Sequence, residues 1–251
     1  LPLPAGSQAA AEDDALGSPA RIDNASAGAL DDLGATAGGD RAGADPRGDL
    51  GSTAGLDRAA DGLDGHSVAA AVWSATARAQ QPLVIGSSHP IRDLDLAPVL
   101  TTAPPAYANR GLAGIDGTIA TALGVALASG PTTLLVGDLT FLHDAGSLLI
   151  GPLERRPDLR IVVVNDDGGS IFHILEQGAP EHADAFERIF GTPTGANLAG
   201  IAAGYGWRHR RITSHAQLIE AIAEPVTAEI LEVRVSRAHR RAQATAVNKM
   251  A

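Results

Sequence analysis

The chain has 251 residues, of which 45% are hydrophobic, so it is long enough to bury a substantial core. Its net charge of −10, with Lys249 as the single lysine, disfavours binding to a nucleic-acid backbone, and the absence of cysteine excludes disulfides and thiolate metal sites. No run of about 18 apolar residues occurs, so we expect no membrane span and a cytoplasmic location.

The first predicted segment, residues 1–66, is acidic and of low complexity. It contains 12 Asp or Glu and four Arg but no Lys and no aromatic residue, and Gly, Ala and Asp recur in loose repeats. Such a composition buries too little apolar area to offset the entropy that is lost on ordering. We therefore expect a disordered or irregular segment, with an acidic interaction tail as the functional alternative.

From Ser67 onward, predicted helices and strands alternate along the chain. The pattern predicts helices over 67–80, 117–129, 141–155, 181–190, 195–204 and 214–223, and an Arg-rich helix at the C-terminus. It predicts strands over 82–86, 132–136, 160–164 and 227–235. Because these strands are continuous apolar runs, they favour a mostly parallel sheet that is covered by helices on both faces. The predicted fold is thus a doubly wound α/β domain.

Polar residues follow two of the predicted strands. Gly137 and Asp138 come after the strand that ends at Val136, and the run from Asn165 to Gly169 follows the next strand. In doubly wound sheets, ligands bind beyond the carboxyl ends of the strands. Carboxylate, amide and carbonyl oxygens suit Mg²⁺ or Mn²⁺, and such a metal would offset repulsion between the acidic side chains and a bound diphosphate. Taken alone, each motif is equally typical of a helix cap or a turn.

Together the two clusters resemble the signature of thiamine diphosphate-dependent enzymes. That family carries Gly-Asp-Gly, roughly 25 residues and then Asn-Asn. Here the sequence reads Gly137-Asp138-Leu139, 25 residues and Asn165-Asp166. The resemblance implies metal ligation by Asp138, by Asp166 or Asn165, and by the carbonyl of Gly168. It implies thiamine diphosphate contacts from Gly137, Asp138, Leu139, Gly168, Gly169 and Ile171.

The departures from this signature point to one branch of the family. Leu139 replaces a glycine, and Gly-Asp-Leu is typical of the SEPHCHC (2-succinyl-5-enolpyruvyl-6-hydroxy-3-cyclohexene-1-carboxylate) synthases of menaquinone biosynthesis. Residues 86–92, 109–117 and 168–172 resemble three further motifs of that branch, which are Asn-Ser-x-x-x-Arg, Asn-Arg-Gly-x-x-Gly-Ile-Asp-Gly and Gly-Gly-x-Ile-Phe. The resemblance covers about residues 82–250.

Members of this branch are transferases that join 2-oxoglutarate to isochorismate with loss of CO₂. The resemblance assigns substrate contacts to Ser88, Arg92, Arg110 and Phe172, with surface ion pairs as the alternative for the two arginines. It also implies a homo-oligomer and a pyrimidine-binding domain, on another chain or a missing segment, that supplies an activating Glu. No catalytic Glu is identified in this chain, so we expect it to hold half of an active site.

In this interpretation, residues 67–100 are the tail of a central domain or a linker, and residues 101–251 are the diphosphate-binding domain. Two other functions stay open. One is another thiamine diphosphate carboligase or 2-oxo acid decarboxylase, against which Leu139 and Arg110 argue. The other is a catalytically incomplete cofactor-binding fragment, which the missing Glu favours. A Rossmann dinucleotide site is disfavoured because no Gly-x-Gly-x-x-Gly follows a strand.

Four arginines lie close to the carboxyl end of the chain, at positions 234, 237, 240 and 241. We interpret them as a solvated helix face or a subunit contact, because long basic side chains commonly cover a surface while their charged ends stay in water.

Overall fold

The structure, a computed structural model, describes residues 63–109 and 114–249. Its strands are β1 Leu83–Ile85, β2 Ala106–Ala108, β3 Thr132–Gly137, β4 Leu159–Asn165, β5 Arg208–Ile212 and β6 Glu229–Arg234. They form one sheet in the order β2-β1-β3-β4-β6-β5, and each neighbouring pair is parallel. The prediction of a doubly wound parallel sheet is therefore confirmed.

Helices cover both faces of this sheet. They are α1 Gly65–Ala79, α2 His89–Asp95, α3 Thr118–Ser129, α4 Asp138–His143, α5 Ala183–Phe186, α6 Leu198–Gly204, α7 His215–Ala223 and α8 Arg240–Asn248. Short 3₁₀ turns lie at Ala145–Leu148, Ser170–Ile174, Glu176–Gly178 and Pro180–His182, and a π-helical turn lies at Glu187–Gly191. No helix in the described part of the chain is long and apolar enough to cross a bilayer.

The sheet separates two hydrophobic cores because successive residues of a strand point to opposite faces. In β4, Val162 and Val164 pack in a core with α1 and α7, whereas Ile161 and Val163 pack in a second core with α3, α4 and α6. All seven residues of β4 are buried, so this strand lies in the middle of the molecule. Both faces are covered, which explains why residues 161–164 of this strand form an unbroken apolar run in the sequence.

The predicted helix over 141–155 is wrong. Helix α4 begins at Asp138 and ends at His143, and a 3₁₀ turn follows before the chain becomes irregular. The cause is Asp144, whose carboxylate accepts hydrogen bonds from the backbone N–H groups of Ile119 (2.6 Å) and Ala120 (3.2 Å). Asp144 therefore caps α3, whose own N-cap residue is a glycine without a side chain to do so.

The sequence patterns missed α2, β2 and the strand β5. Four of the five residues of β5 are Arg or His, so it does not read as an apolar run. Their charges meet buried carboxylates on the neighbouring β6. Arg208 contacts Glu229 at 3.2 Å, and His209 lies 2.9 Å from Glu232.

Helix α1 begins at Gly65, two residues earlier than predicted. Asp64 caps it by accepting a hydrogen bond from the Ser67 N–H (2.8 Å), and the Ser67 hydroxyl accepts one in return from the Asp64 N–H (2.9 Å). The rest of the predicted irregular segment, residues 1–62, lies outside the described residues. The domain division at residue 100 stays a prediction, while the sheet includes strands from both sides of it.

Candidate functional site

A cavity of about 220 Å³ lies at the carboxyl ends of β1, β3 and β4. After β1 the chain continues to β2, toward one edge of the sheet. After β3 it continues to β4, toward the opposite edge. The point between β1 and β3 is thus a topological switch point, where loops diverge and leave a crevice. Ser87 and Ser88 line the cavity from the β1 side, and Gly137 and Asp138 line it from the β3 side.

Most of the site residues that the sequence predicted line this one cavity. They are Ser88, Gly137, Asp138, Leu139, Asp166, Gly168, Gly169, Ile171 and Phe172. Asn165 and Arg92 are not among the lining residues, and Arg110 lies outside the described residues. The pairing of β3 with β4 accounts for the convergence. Gly137 lies opposite Val164, so the polar residues that follow the two parallel strands lie at the same end of the sheet.

Asp138 is buried at the floor of the cavity, with 3% of its surface exposed. Its Oδ2 accepts a hydrogen bond from the backbone N–H of Gly168 (2.8 Å), which links the end of β3 to the loop after β4. Burial raises the pKa of Asp138 to about 7, and the nearby Asp166 carboxylate acts in the same direction. The hydrogen bond from Gly168 only partly compensates.

Asp166 is the second buried carboxylate that faces the cavity, with 8% exposure. Burial raises its pKa, while the positive charges of Arg240 and Arg237 pull it down. Asn165, one residue earlier, points elsewhere. Its Nδ2 donates to Glu232 on β6 (2.8 Å).

The loop after β4 has a defined backbone conformation. The side-chain oxygen of Asn165 accepts from the Asp167 N–H (3.0 Å), and Asp167 has a positive φ of 58°. The Asp167 carboxylate accepts in turn from the N–H groups of Thr194 (3.1 Å) and Gly195 (2.9 Å). Gly168 has φ 142°, and a Cβ at this position would overlap the carbonyl oxygen of Gly191. Only glycine fits position 168.

The chemistry of this edge fits a hard divalent cation. Asp138 and Asp166 bring two carboxylates together in a low-exposure site, and such a pair is stabilised by a cation. The carbonyl oxygen of Gly168 accepts from the Ser170 N–H (3.0 Å) and keeps a second lone pair. Among the described residues, no group of three or more His, Asp or Glu side chains is arranged to hold a metal. A metal here would therefore need oxygen ligands from a bound molecule as well.

The predicted substrate residues Ser88 and Arg92 lie at the rim formed by α2. Ser88 precedes α2 with a positive φ of 74°, a strained conformation for a residue with a side chain. The Arg92 guanidinium donates to the Ser88 carbonyl (2.8 Å) and lines a neighbouring cavity of about 200 Å³. His89, Asp93 and Arg240 line both cavities and form the partition between them.

The partition residues were missed by the sequence patterns. Arg240 and Asp93 form a buried ion pair (2.9 Å), and the two residues are 147 positions apart in the chain. No local motif marks such a pair. His89 lies between the predicted residues Ser88 and Arg92, but a single histidine carries no pattern of its own.

His89 should make the folded protein sensitive to acid. Burial, together with Arg240, lowers the pKa of His89 from 6.5 to about 4, although Asp93 opposes this. Between these pH values the unfolded chain takes up a proton that the folded chain resists, so stability falls as the pH falls from about 6.5 to about 4. We expect wild type to lose up to about 3 kcal/mol more than His89→Gln over this range.

Urea unfolding of both proteins at several pH values between 7 and 4.5 measures this difference. Because all other titrating groups are common to the two chains, their contributions cancel in the comparison. Parallel stability curves would contradict the assignment of the acid sensitivity to His89.

Comparison with known proteins identifies the family of this chain. The family model described as thiamine pyrophosphate enzyme, C-terminal TPP-binding domain, matches residues 96–231. The chain belongs to the thiamine pyrophosphate enzymes. The matched range includes the loops after β3 and β4, and therefore both carboxylates of the cavity.

Among the relatives of this thiamine pyrophosphate enzyme are two proteins named 2-succinyl-5-enolpyruvyl-6-hydroxy-3-cyclohexene-1-carboxylate synthase. The protein from Paenarthrobacter aurescens is 52% identical over 187 residues, which cover 71% of this chain and 32% of the relative. The protein from a Nocardioides species is 52% identical over 187 residues, which cover 72% and 35%. The chain thus spans about a third of the length of these relatives.

The fold of the thiamine pyrophosphate enzyme is also found in a solved structure. Benzoylformate decarboxylase from Polynucleobacter necessarius superimposes with a TM-score of 0.55 at 19% identity, covering 72% of this chain and 34% of that one. At this identity the match supports the fold alone.

Proposed function

We propose that the cavity at the strand ends binds the diphosphate of thiamine diphosphate through Mg²⁺ or Mn²⁺. We further propose that the chain is part of a transferase that joins 2-oxoglutarate to isochorismate to give SEPHCHC. The observation that carries the proposal is the convergence of two buried carboxylates, Asp138 and Asp166, on one cavity at the switch point of the sheet. The two relatives named as SEPHCHC synthases support the choice of reaction.

The metal would be held by Asp138, by Asp166 and by the carbonyl of Gly168, with diphosphate oxygens completing the octahedron that Mg²⁺ prefers. Asp166 is the better candidate than Asn165, because Asp166 lines the cavity, whereas Asn165 does not and its Nδ2 donates to Glu232 on β6. Without the metal, the two carboxylates would repel a diphosphate. Cofactor affinity should therefore depend on the metal.

The thiazolium group supplies the carbanion chemistry of these enzymes when the cofactor is bound. The residues of this chain bind and orient it. Backbone groups of Gly137 and Gly169 lie at the cavity wall, where the absence of side chains lets a ligand approach closely. Leu139, Ile171 and Phe172 form an apolar part of the wall, which would exclude water from the reacting atoms.

Substrate carboxylates would be bound at the α2 rim. Arg92 is exposed beside the neighbouring cavity, and its guanidinium has the planar fork that binds a carboxylate through two hydrogen bonds. Ser88 offers a hydroxyl at the boundary of the cofactor cavity. Arg110 joins this set by its place in the Asn-Arg-Gly motif.

The complete site needs a pyrimidine-binding domain with an activating Glu, which we propose to come from another chain or segment of a homo-oligomer. If this chain is another thiamine diphosphate carboligase or decarboxylase, a substrate screen would find a different acceptor. If it is an incomplete cofactor-binding fragment, it would bind the cofactor and catalyse nothing even when the second domain is present.

The proposal is tested by calorimetric titration of the purified chain with thiamine diphosphate, with Mg²⁺, with Mn²⁺ and with EDTA. We expect binding with either metal and none with EDTA. A pyrimidine-binding domain from a relative is then added with isochorismate and 2-oxoglutarate, and SEPHCHC and CO₂ should form. Metal-independent binding would contradict the metal site, and product formation only with another acceptor would contradict the substrate assignment.

A further inference from the structure

Three arginines near the carboxyl end of the chain reach three different segments that surround the cofactor cavity. The sequence pattern indicates a solvated helix face or a subunit contact for Arg237, Arg240 and Arg241. In the structure Arg240 is buried and Arg241 is exposed, and the guanidinium group of each of the three donates to protein oxygens. We call these three residues the arginine clasp. Each member contacts a segment that carries proposed site residues.

Arg237 holds the loop that carries the proposed metal ligand Asp166. Its Nη1 donates to the carbonyl oxygen of Asp167 and lies 3.5 Å from that of Asp166, while its Nη2 pairs with Glu187. A Cβ on Gly168 would come within 2.6 Å of this guanidinium, so the glycine makes room for it. Arg237 therefore holds the backbone of the loop after β4, which we call the metal loop, at Asp166 and Asp167.

Arg240 holds helix α2, which begins directly after Ser88 and carries Arg92. Its Nη1 donates to the Asp93 carboxylate (2.9 Å), and the side chains of both residues are 3% exposed. A Cβ on Gly65 would overlap both groups, so α1 packs directly against the pair. This contact holds α2, and therefore the rim of the cavity that Ser88 and Arg92 form.

Arg241 holds the 3₁₀ turn Ser170–Ile174, which carries Ile171 and Phe172. Its Nη1 donates to the carbonyl oxygens of His173 (3.0 Å) and Leu175 (3.2 Å). The apolar wall of the cavity is therefore attached to α8 by backbone contacts and does not depend on the identity of the side chains in the turn.

We propose that Arg237, Arg240 and Arg241 are positioning residues of the proposed reaction, and this role rests on the proposed function. Together they set the metal loop, the substrate rim and the apolar wall relative to one another. Arginine suits the role at positions 237 and 241, where one guanidinium donates to two acceptors. A lysine ammonium on a flexible stem does this less well. Arg234 is the fourth arginine of the cluster. Its side chain is 44% exposed and makes one long contact with Glu232, at 3.8 Å, so it serves as a control.

Amide hydrogen exchange of the free chain tests the holding role without cofactor. We expect Arg237→Gln to speed exchange at Gly168 and Gly169, and Arg241→Gln to speed exchange at Phe172 and Leu175. A charged hydrogen bond at each position predicts an increase of about 10–100-fold in its own segment. Arg234→Gln should change neither segment.

Arg240→Gln should speed exchange at the end of α2. The amides to follow are those of Leu96 and Ala97, whose N–H groups donate to the carbonyls of Asp93 and Leu94 in its last turn. Because removing Arg240 takes the guanidinium away from the buried Asp93 carboxylate and leaves only His66 beside it (3.1 Å), this variant is paired with Arg240→Lys. The lysine keeps the charge and loses the fork, so it should show a smaller increase in the same place. A uniform increase in exchange rate over the whole chain in these variants would contradict the positioning role of the arginine clasp.

Cofactor titration then tests the consequence for the site. We expect Arg237→Gln to weaken binding of thiamine diphosphate with Mg²⁺ by about 10–100-fold, as is usual for a group that holds a metal ligand in place. Arg234→Gln should leave this affinity unchanged, and Arg241→Gln, which loosens only the turn that carries Ile171 and Phe172, should lower it less than Arg237→Gln does. General destabilisation would not produce this order. If wild type fails to bind the cofactor, the proposed function fails, whereas the exchange pattern still decides the clasp. Equal affinity losses in all three variants would overturn it.

Discussion

Replacing Asp138 by asparagine is expected to weaken metal-dependent binding of thiamine diphosphate by at least about 100-fold. Loss of a partner outside the ligand set already costs about 10–100-fold in metal affinity, and Asp138 is a proposed ligand itself. The asparagine oxygen can still accept the hydrogen bond from the Gly168 N–H, so the loop should keep its conformation. Calorimetric titration of wild type and variant with Mg²⁺ present measures the loss.

The same substitution is expected to stabilise the free chain. At pH 8 and without metal, the folded state must hold a buried Asp138 carboxylate whose pKa is raised from 3.8 to about 7. A raised folded pKa means that stability is lost as the pH rises from about 4 to about 7, and asparagine removes this loss. We expect a gain of roughly 1–4 kcal/mol in the free energy of unfolding.

This opposition between binding and stability separates a metal site from a structural aspartate. If Asp138 were only a structural acceptor, asparagine would leave cofactor binding nearly unchanged, whereas the gain in stability, which follows from burial of the carboxylate, would remain. A loss of stability together with a loss of binding would indicate that the loop had collapsed. Cofactor titration and urea unfolding without metal together distinguish these outcomes.

The neighbouring residues Asn165 and Asp166 are expected to respond in opposite ways to alanine. Asp166→Ala removes a proposed ligand, so binding of thiamine diphosphate with Mg²⁺ should fall by at least about 100-fold while stability changes little. Asn165→Ala removes a donor from the buried Glu232 carboxylate, so stability should fall by about 1–3 kcal/mol. Its affinity loss should be the smaller of the two.

Asp166→Asn is the matched control, because it restores the asparagine of the family signature and keeps an oxygen ligand. We expect it to stay within about tenfold of wild type in affinity, because the family signature carries asparagine at this position, whereas it carries aspartate at the position of Asp138. Titration and urea unfolding of all three variants complete the comparison. If Asn165→Ala abolished binding and Asp166→Ala preserved it, the ligand would be Asn165.

The central part of the fold could be predicted from sequence because its strands are buried on both faces. Residues 161–164 read as a continuous apolar run, and the structure buries them in the middle of the sheet. Strand β5 could not be predicted in this way. Its first four residues are Arg or His, and they fit the sheet because Arg208, His209 and Arg211 contact carboxylates on β6, about 20 residues further along the chain.

The site was predicted as far as local motifs reach. Asp138 and Asp166 follow adjacent parallel strands, so two motifs that are separated in the sequence lie close together at the carboxyl ends of β3 and β4. The buried pair of Arg240 and Asp93 has no such correspondence, because three-dimensional packing alone brings α8 beside α2. The false helix over 141–155 has a similar origin, since Asp144 serves a helix 25 residues earlier in the chain.

The last helix also has a consequence for how the chain folds. Gln243 donates to Asp64 (3.1 Å), 179 positions back, and Arg240 reaches Asp93, 147 positions back. Contacts between residues so far apart form slowly, because closing a long loop costs entropy before the contact stabilises the chain. We therefore expect the joining of α8 to α1 and α2 to be a late step in folding.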